Sequence, residues 1–186
     1  MNAKAKHWLY CLALAFLFLL IASRSSWLYP LNDWVDSQSY FTMGRGLFAG
    51  KVLYKDLFEQ KGPYVYFVYG LGSLLSARTF AGVFVFEVLS FTVFLYAAGA
   101  LIRRLSGSER RLYYVLPLIA AVTTQSNAFY RGGSAEQMFL PLLMYGLFCI
   151  TRYHDVQCFG NGGFRRDRAR ILGHMVFYIH IDYPPR

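Results

Sequence analysis

The sequence predicts an all-α integral membrane protein with about four transmembrane helices and a large first extracytoplasmic loop that contains interfacial helices. Of the 186 residues, 56% are hydrophobic and 19% are aromatic, a composition too apolar for an ordinary soluble domain. Several apolar runs approach the about twenty residues that cross a bilayer as a helix. The basic residues behind the net charge of +9 cluster at the ends of these runs. Basic residues that flank apolar runs are typical of membrane proteins, where they set the orientation of the spans, and this argues against nucleic-acid binding.

The first apolar run covers residues 8–22 and follows Lys4 and Lys6. A cleaved signal peptide has the same layout, but this run continues through Trp27 and Tyr29 without a small-x-small cleavage site. A retained signal-anchor is therefore favoured, with the two aromatic residues at the far membrane interface. The positive-inside rule places the N-terminus in the cytoplasm. Together with the later apolar runs, this predicts a multi-pass protein of the cell membrane.

Three further spans are predicted, over residues 80–102, 112–126 and 136–150. A shorter run over residues 64–75 has about twelve residues, which is short for a span. Two arginine pairs within residues 103–111 mark that segment as a cytoplasmic loop. The chain must then cross the membrane an odd number of times between the first external loop and this cytoplasmic loop. Residues 80–102 supply one crossing, and a second one by the shorter run would make the number even. The shorter run is therefore predicted to be an interfacial helix. External loops are expected at about residues 24–78 and 124–135.

A short amphipathic helix is predicted within the first external loop, lying on the membrane. Apolar residues recur there at steps of three and four, as on one face of a helix: Tyr40, Met43, Leu47 and Phe48. Gly44, Gly46 and Gly50 oppose a helix and offer a natural stop.

The character of the sequence changes near its end. Residues 1–152 carry the predicted membrane part, whereas residues 153–186 are basic and glycine-rich. Two interpretations of this tail stay open. It is a disordered cytoplasmic segment, or it is the aberrant end of a truncated or frame-shifted gene.

Carboxylates in the two predicted external loops are the candidate functional groups. Asp33 and Asp36 would share one face of a helix, and a carboxylate at the interface can act as a general base toward a hydroxyl. The structural alternative is that one of them caps the helix that follows. Ser134 can cap a helix with Glu136 in its first turn, yet an ionisable residue at the head of a span also favours a function. Glu87, inside a span, is expected to face the bundle interior without a catalytic role.

The order of motifs in the loops resembles the bacterial GT-C membrane glycosyltransferases of the mannosyltransferase- and aminoarabinose-transferase-like group. The resemblance covers about residues 8–152, and the combined order is more specific than any one motif. The motifs are Asp36-x-x-x-Tyr40, Gly50-x-x-x-Tyr54-x-Asp56, Glu59-x-Lys61-Gly-Pro63 and, in the second loop, Arg131-Gly-Gly-Ser-Ala-Glu136.

The resemblance implies transfer of a sugar from a polyprenyl-phosphate carrier to a cell-envelope glycan or lipid acceptor outside the membrane. It implies that Asp36 deprotonates the acceptor hydroxyl, and that Glu136 orients the acceptor or helps to hold a divalent cation. Ser37 stands where many relatives have Glu, which leaves the metal open. Six side chains are expected to bind substrate, the last two by meeting the carrier phosphate with their charge: Asp33, Tyr40, Tyr54, Asp56, Lys61 and Arg131.

Family members have many more spans, so the resemblance implies an N-terminal portion; a truncated copy of the enzyme is expected, and its activity alone stays open. The alternative is a small multi-span membrane protein without enzymatic activity, acting as a subunit or assembly partner. The loop acids would then serve only as caps and solvated charges. A transporter is disfavoured because the polar residues gather in loops and not at the bilayer midplane.

Overall fold

The structure is a computed structural model that describes residues 2–29, 31–127 and 129–160, with side chains described up to residue 151. These residues form helices and loops without a β-strand. The helices are α1 (Ala3–Ala22), α2 (Val35–Phe48), α3 (Pro63–Leu75), α4 (Ala81–Ser106), α5 (Glu109–Thr124) and α6 (Ala135–Gly160). The chain divides into two units, Met1–Tyr145 and Gly146–Arg186. All contacts of the candidate site lie in the first unit.

Helices α1 and α4 pack along each other in opposite directions. The His7 ring, near the start of α1, lies 4.9 Å from the Tyr96 ring late in α4, measured between centroids. Phe16, late in α1, lies 6.1 Å from Phe84 at the start of α4. The buried residues of α1 recur every fourth position and form one stripe along the helix: His7, Cys11, Ala15 and Leu19. The small side chains in this stripe let α1 lie close to its neighbours.

Among the described residues, two helices are long and apolar enough to cross a membrane. The most apolar stretch of α1 has a mean hydropathy of 1.8, and that of α4 has 2.0. Helix α5 has 16 residues, and at 1.5 Å per residue its length of about 24 Å is less than the hydrocarbon thickness of about 30 Å. The apolar part of α6, Ala135–Thr151, is also shorter than a full span. Crossing by four helices stays a prediction.

Both predicted helices of the first loop are present, as α2 and α3, but the glycines of α2 do not stop it. The helix passes through Gly44 and Gly46, ends at Phe48, and the chain turns at Gly50 with φ of +84°. A Cβ atom on Gly44 would lie only 2.4 Å from the backbone nitrogen of Gly70 in α3. Glycine is therefore used here for close helix packing.

Two helices, α4 and α6, end later in the sequence than predicted. Helix α4 continues through both arginines of its last turn to Ser106, and only Gly107 and Ser108 separate it from α5. Gly107 ends α4 in the left-handed conformation, with φ of +64°. Helix α6 extends to Gly160, past the boundary predicted after residue 152. The prediction for the tail otherwise concerns residues 161–186, which lie outside the described residues.

Candidate functional site

The two predicted external loops meet at one end of the helices in direct contacts. The backbone N–H of Arg24 donates to the carbonyl of Arg131 at 2.8 Å. The Tyr69 hydroxyl, on α3, donates to the carbonyl of Gly133 in the second loop at 2.9 Å. Side chains from the first loop also pair with Arg131 and with Glu136. The structure therefore brings the two predicted external loops together, as expected. Because both carry candidate carboxylates, they are called the acidic loops.

A buried polar cluster lies beneath the loops and fixes their position. The Ser23 hydroxyl, just after α1, donates to the carboxylate of Glu87 on α4 at 2.6 Å. The side chains of Ser25 and Gln137 lie near this carboxylate, but its Oε1 atom and the Gln137 amide nitrogen form no hydrogen bond among the described residues. Gln137 accepts a hydrogen bond from the Gly133 backbone N–H at 2.6 Å. Glu87 is fully buried, so the prediction that it faces the interior is confirmed, and its bond with Ser23 joins α4 to the end of α1.

Asp36 lies in the first turn of α2 with an exposed side chain. Helix α2 begins at Val35 without a side-chain cap, so the alternative that Asp33 or Asp36 caps it is wrong. The neighbouring Ser37 is buried and its hydroxyl hydrogen-bonds the Tyr69 hydroxyl at 2.9 Å. This contact fixes the rotation of α2 and leaves Asp36 directed outward.

Glu136 lies in the first turn of α6, and its side chain is 54% exposed. Ser134 caps this helix as predicted, because its hydroxyl oxygen accepts the backbone N–H of Gln137 at 3.1 Å. The Glu136 carboxylate pairs with the Lys61 ammonium at 3.1 Å. The structure thus brings a predicted catalytic carboxylate and a predicted phosphate-binding cation together as an ion pair.

Asp33 and Arg131 form a second ion pair, with 2.6 Å between the carboxylate and guanidinium atoms. Both side chains are partly exposed, at 60% for Asp33 and 34% for Arg131. The hydrogen bond from Arg131 lowers the pKa of the Asp33 carboxyl, and the nearby charge of the guanidinium lowers it further. The other predicted phosphate-binding cation is therefore also paired with a predicted site acid.

Tyr40, predicted to bind substrate, lies in the wall behind the carboxylates with only 1% of its surface exposed. Its ring packs against those of Tyr66 and Tyr69, at centroid distances of 6.0 and 5.5 Å. Burial raises the pKa of its hydroxyl. Three carboxylate charges raise this pKa further: Asp36, Glu59 and Glu136.

Tyr54 and Asp56 shape the loop that carries Lys61. The Asp56 carboxylate accepts the backbone N–H of Val52 at 2.8 Å and closes a turn. Within this turn Tyr54 adopts a left-handed backbone with φ of +64°. Its hydroxyl donates to the carbonyl of Lys61 at 2.8 Å. Both residues thus act on the candidate site by positioning Lys61.

Sequence reasoning missed the roles of Glu59 and of the tyrosines of α3. The Tyr66 hydroxyl donates to the Glu59 carboxylate and accepts the backbone N–H of Lys61 at 2.9 Å. Burial raises the pKa of Glu59, but hydrogen bonds from Tyr66 and from backbone N–H groups outweigh it and leave the pKa below its ordinary value. Tyr66 and Tyr69 are three residues apart and share a helical face, a signal that could have indicated that α3 faces the loops.

A divalent cation is the one cofactor that the resemblance raises, without deciding whether it is bound. Among the residues that the structure describes, no three His, Cys, Asp or Glu side chains come together as a possible metal site. The divalent cation therefore stays a prediction from the resemblance alone.

Replacing Arg131 with Gln should raise the pKa of Asp33 toward its ordinary value. The folded-state pKa of Asp33 is now lowered, so the pair adds stability above the unfolded-state pKa and loses it as the pH falls through the folded-state pKa. Carbon-13 NMR of aspartate-labelled protein in a neutral detergent would follow this titration. Arg45→Gln, which removes an exposed charge from the last turn of α2, is the control. Equal Asp33 titration in both variants would contradict the pairing.

No protein-family model, curated protein or solved structure matches the chain. The assignment of a function therefore depends on the residues of the two loops themselves: two exposed first-turn carboxylates, two ion pairs, and the buried polar cluster that holds them at one end of the helices.

Proposed function

We propose that this chain carries the catalytic loops of a GT-C-type membrane glycosyltransferase, which moves a sugar from a polyprenyl-phosphate carrier to a cell-envelope acceptor. The observation that carries the proposal is the meeting of the two acidic loops at one end of the helices. Asp36 and Glu136 come from segments far apart in sequence, yet both stand in the first turn of a helix, and their loops contact each other directly.

Insertion of the helices in a membrane is part of this proposal. Only 22% of the apolar stretch of α1 is buried against the rest of the chain. Leu9, Leu17 and Ile21 are 50%, 56% and 70% exposed. Lipid would cover such a surface without the cost of contact with water. With the lysines of the N-terminus in the cytoplasm and four crossings, the acidic loops would face the outside of the cell.

The proposed reaction forms a bond between the acceptor oxygen and the sugar C1 atom, and it breaks the bond from C1 to the carrier phosphate. Asp36 takes the proton of the acceptor hydroxyl as this bond forms. It is suited to that role because no described side chain donates a hydrogen bond to its carboxylate. Glu136, exposed in the first turn of α6, orients the acceptor. The electron pair leaves with the carrier phosphate.

Lys61 and Arg131 would stabilise the charge of that phosphate in the proposed reaction. Each now pairs with an acid, but both pairs are partly exposed to solvent. Solvent-exposed ion pairs of this kind contribute about 1 kcal/mol or less to the stability of a protein. A phosphate dianion can therefore replace or share the carboxylate partner of either cation at small cost, with bidentate contacts available from Arg131.

The test is sugar transfer in membranes that contain the full chain, with radiolabelled polyprenyl-phosphate mannose or arabinose as donor. Asp36→Asn should lower the incorporation of label into envelope material by about a hundredfold or more, the usual contribution of a general base. Glu136→Gln should also lower it. Glu109→Gln is the matched control, because Glu109 is an exposed first-turn carboxylate of α5 at the other end of the helices. Transfer that survives Asp36→Asn unchanged would overturn the catalytic assignment.

A second candidate function is that of a non-enzymatic subunit or assembly partner in the membrane. It is favoured by one observation, namely that the charged side chains of the site already satisfy one another in the Lys61–Glu136 and Asp33–Arg131 pairs. Absence of transfer with either donor, together with co-purification of one membrane partner at fixed stoichiometry, would support this function. Measurable transfer that depends on Asp36 would exclude it.

A further inference from the structure

A cavity of about 390 Å³ lies between the turn after α1 and the start of α4, within the first loop but not lined by any of its carboxylates. Its volume is within the about 300–1,000 Å³ typical of small-molecule sites. Arg24 and Arg78 both line it, and no Asp or Glu does. The cavity therefore carries two formal positive charges and no negative charge of its own.

The neutral polar groups of the cavity wall are already engaged within the protein. The Ser26 hydroxyl donates to the carbonyl of Leu20 at 2.7 Å. The Tyr29 hydroxyl donates to the carbonyl of Ile21 at 2.6 Å. The Gln38 amide donates to a loop carbonyl at 2.7 Å. These bonds build the wall, and the two guanidinium groups are its charged hydrogen-bond donors.

Neither Arg24 nor Arg78 forms an ion pair with a carboxylate among the described residues. The Arg24 guanidinium lies over the Tyr29 ring, 4.4 Å from its centroid, which holds the planar group in place. Its charge reaches Asp33, but that carboxylate is bonded to Arg131. A positioned, planar guanidinium suits a phosphate, which it can bind with two hydrogen bonds.

The position of the cavity indicates where such a phosphate would come from. It adjoins the end of α1 and the start of α4, the two described helices that are able to cross a membrane. If they cross it, these ends lie at the level of the lipid headgroups. Trp27 and Leu31 at the cavity are 64% and 80% exposed, as expected of side chains that reach into the lipid interface.

We propose that this cavity binds the phosphate of an anionic phospholipid headgroup through Arg24 and Arg78. The site shares the first loop with the candidate carboxylates but uses none of them; it rests on the membrane insertion in the proposed function and not on the glycosyl transfer. An anionic lipid held there would link the ends of α1 and α4 through its phosphate.

The test is lipid binding to the full chain in a neutral detergent, measured by native mass spectrometry during titration. The probes are dioctanoyl phosphatidylglycerol, dioctanoyl phosphatidylcholine and inorganic phosphate. Phosphatidylglycerol should bind saturably and more tightly than phosphatidylcholine. The double variant Arg24→Gln/Arg78→Gln should bind it about tenfold more weakly or worse, as expected for lost charge-assisted hydrogen bonds. Arg45→Gln/Lys55→Gln removes the same charge from exposed positions outside the cavity and should bind as the wild type does.

Arg24→Lys/Arg78→Lys separates loss of binding from loss of folding, because it keeps both charges. It should bind more tightly than the glutamine variant and more weakly than the wild type, because lysine keeps the charge but not the two-bond contact; a lysine variant as weak as the glutamine variant would overturn the proposal. Equal weakening in both glutamine variants would also overturn it, since the attraction would then be non-specific. Inorganic phosphate that binds as tightly as phosphatidylglycerol would show a free-anion site and contradict the lipid assignment.

Discussion

Replacing Gly44 with alanine should lower the free energy of unfolding by about 1–3 kcal/mol, the usual cost of overpacking. The added methyl group would lie 2.4 Å from the backbone nitrogen of Gly70 and 2.7 Å from the carbonyl oxygen of Tyr66. Both are backbone atoms of α3, so the whole helix must move away from α2. Alanine gains about 1 kcal/mol over glycine in helix propensity, but this gain is smaller than the cost of separating two packed helices.

Gly146→Ala is the matched control for Gly44→Ala, because Gly146 lies in α6 and a Cβ atom added there would meet nothing within 4 Å beyond the backbone of its own helix. Helix propensity acts alone there, so the same substitution should stabilise the protein by up to about 1 kcal/mol. Unfolding in a titration of denaturing detergent, followed by circular dichroism, would measure both changes. Effects of the same sign would show that the contact between α2 and α3 is not as close as described.

Replacing Glu87 with alanine should cost about 3 kcal/mol or more in the free energy of unfolding. Glu87 is fully buried, and the substitution removes the acceptor of the Ser23 hydroxyl and opens a cavity beside Gln137. Glu87→Gln keeps an acceptor oxygen and nearly the same volume, so it should cost much less. The second loop should also loosen in the alanine variant, seen as faster amide exchange at Gly133, whose N–H is bonded to Gln137.

Ser90→Ala is the control for Glu87→Ala. The Ser90 hydroxyl lies on the same helix and is buried without a hydrogen-bond partner in the described part of the chain. Its removal breaks no hydrogen bond and should leave stability nearly unchanged. If Glu87→Ala were as mild as Ser90→Ala, the polar cluster would not be what holds the loops together.

The helices of the first unit could be predicted because each is marked by local sequence. The apolar run of α1, the long run of α4 and Pro63 at the first position of α3 all act within one element. Their ends were less predictable. Arginines are good helix formers, so Arg103 and Arg104 extended α4 where topology rules had placed a loop.

The candidate site could be predicted only in outline. Parity of the basic clusters brought Asp36 and Glu136 to one end, but no local pattern indicates which cation pairs with which acid. The Lys61–Glu136 pair depends on how α3 and α6 pack. The burial of Tyr40 likewise depends on Gly44 and Gly70, whose close approach brings α2 onto α3. Tertiary packing of this kind has no signature in a single sequence.

The long sequence separation of the loop contacts has a consequence for synthesis. Lys61 and Glu136 are 75 residues apart, and Ser23 and Glu87 are 64 apart. At about 5–20 residues per second, Lys61 leaves the ribosome roughly 4–15 s before its carboxylate partner does. During that interval the Lys61 ammonium lacks its Glu136 partner. The two acidic loops can contact each other only after the start of α6 has been synthesised. This contact therefore forms late in the folding of the nascent chain.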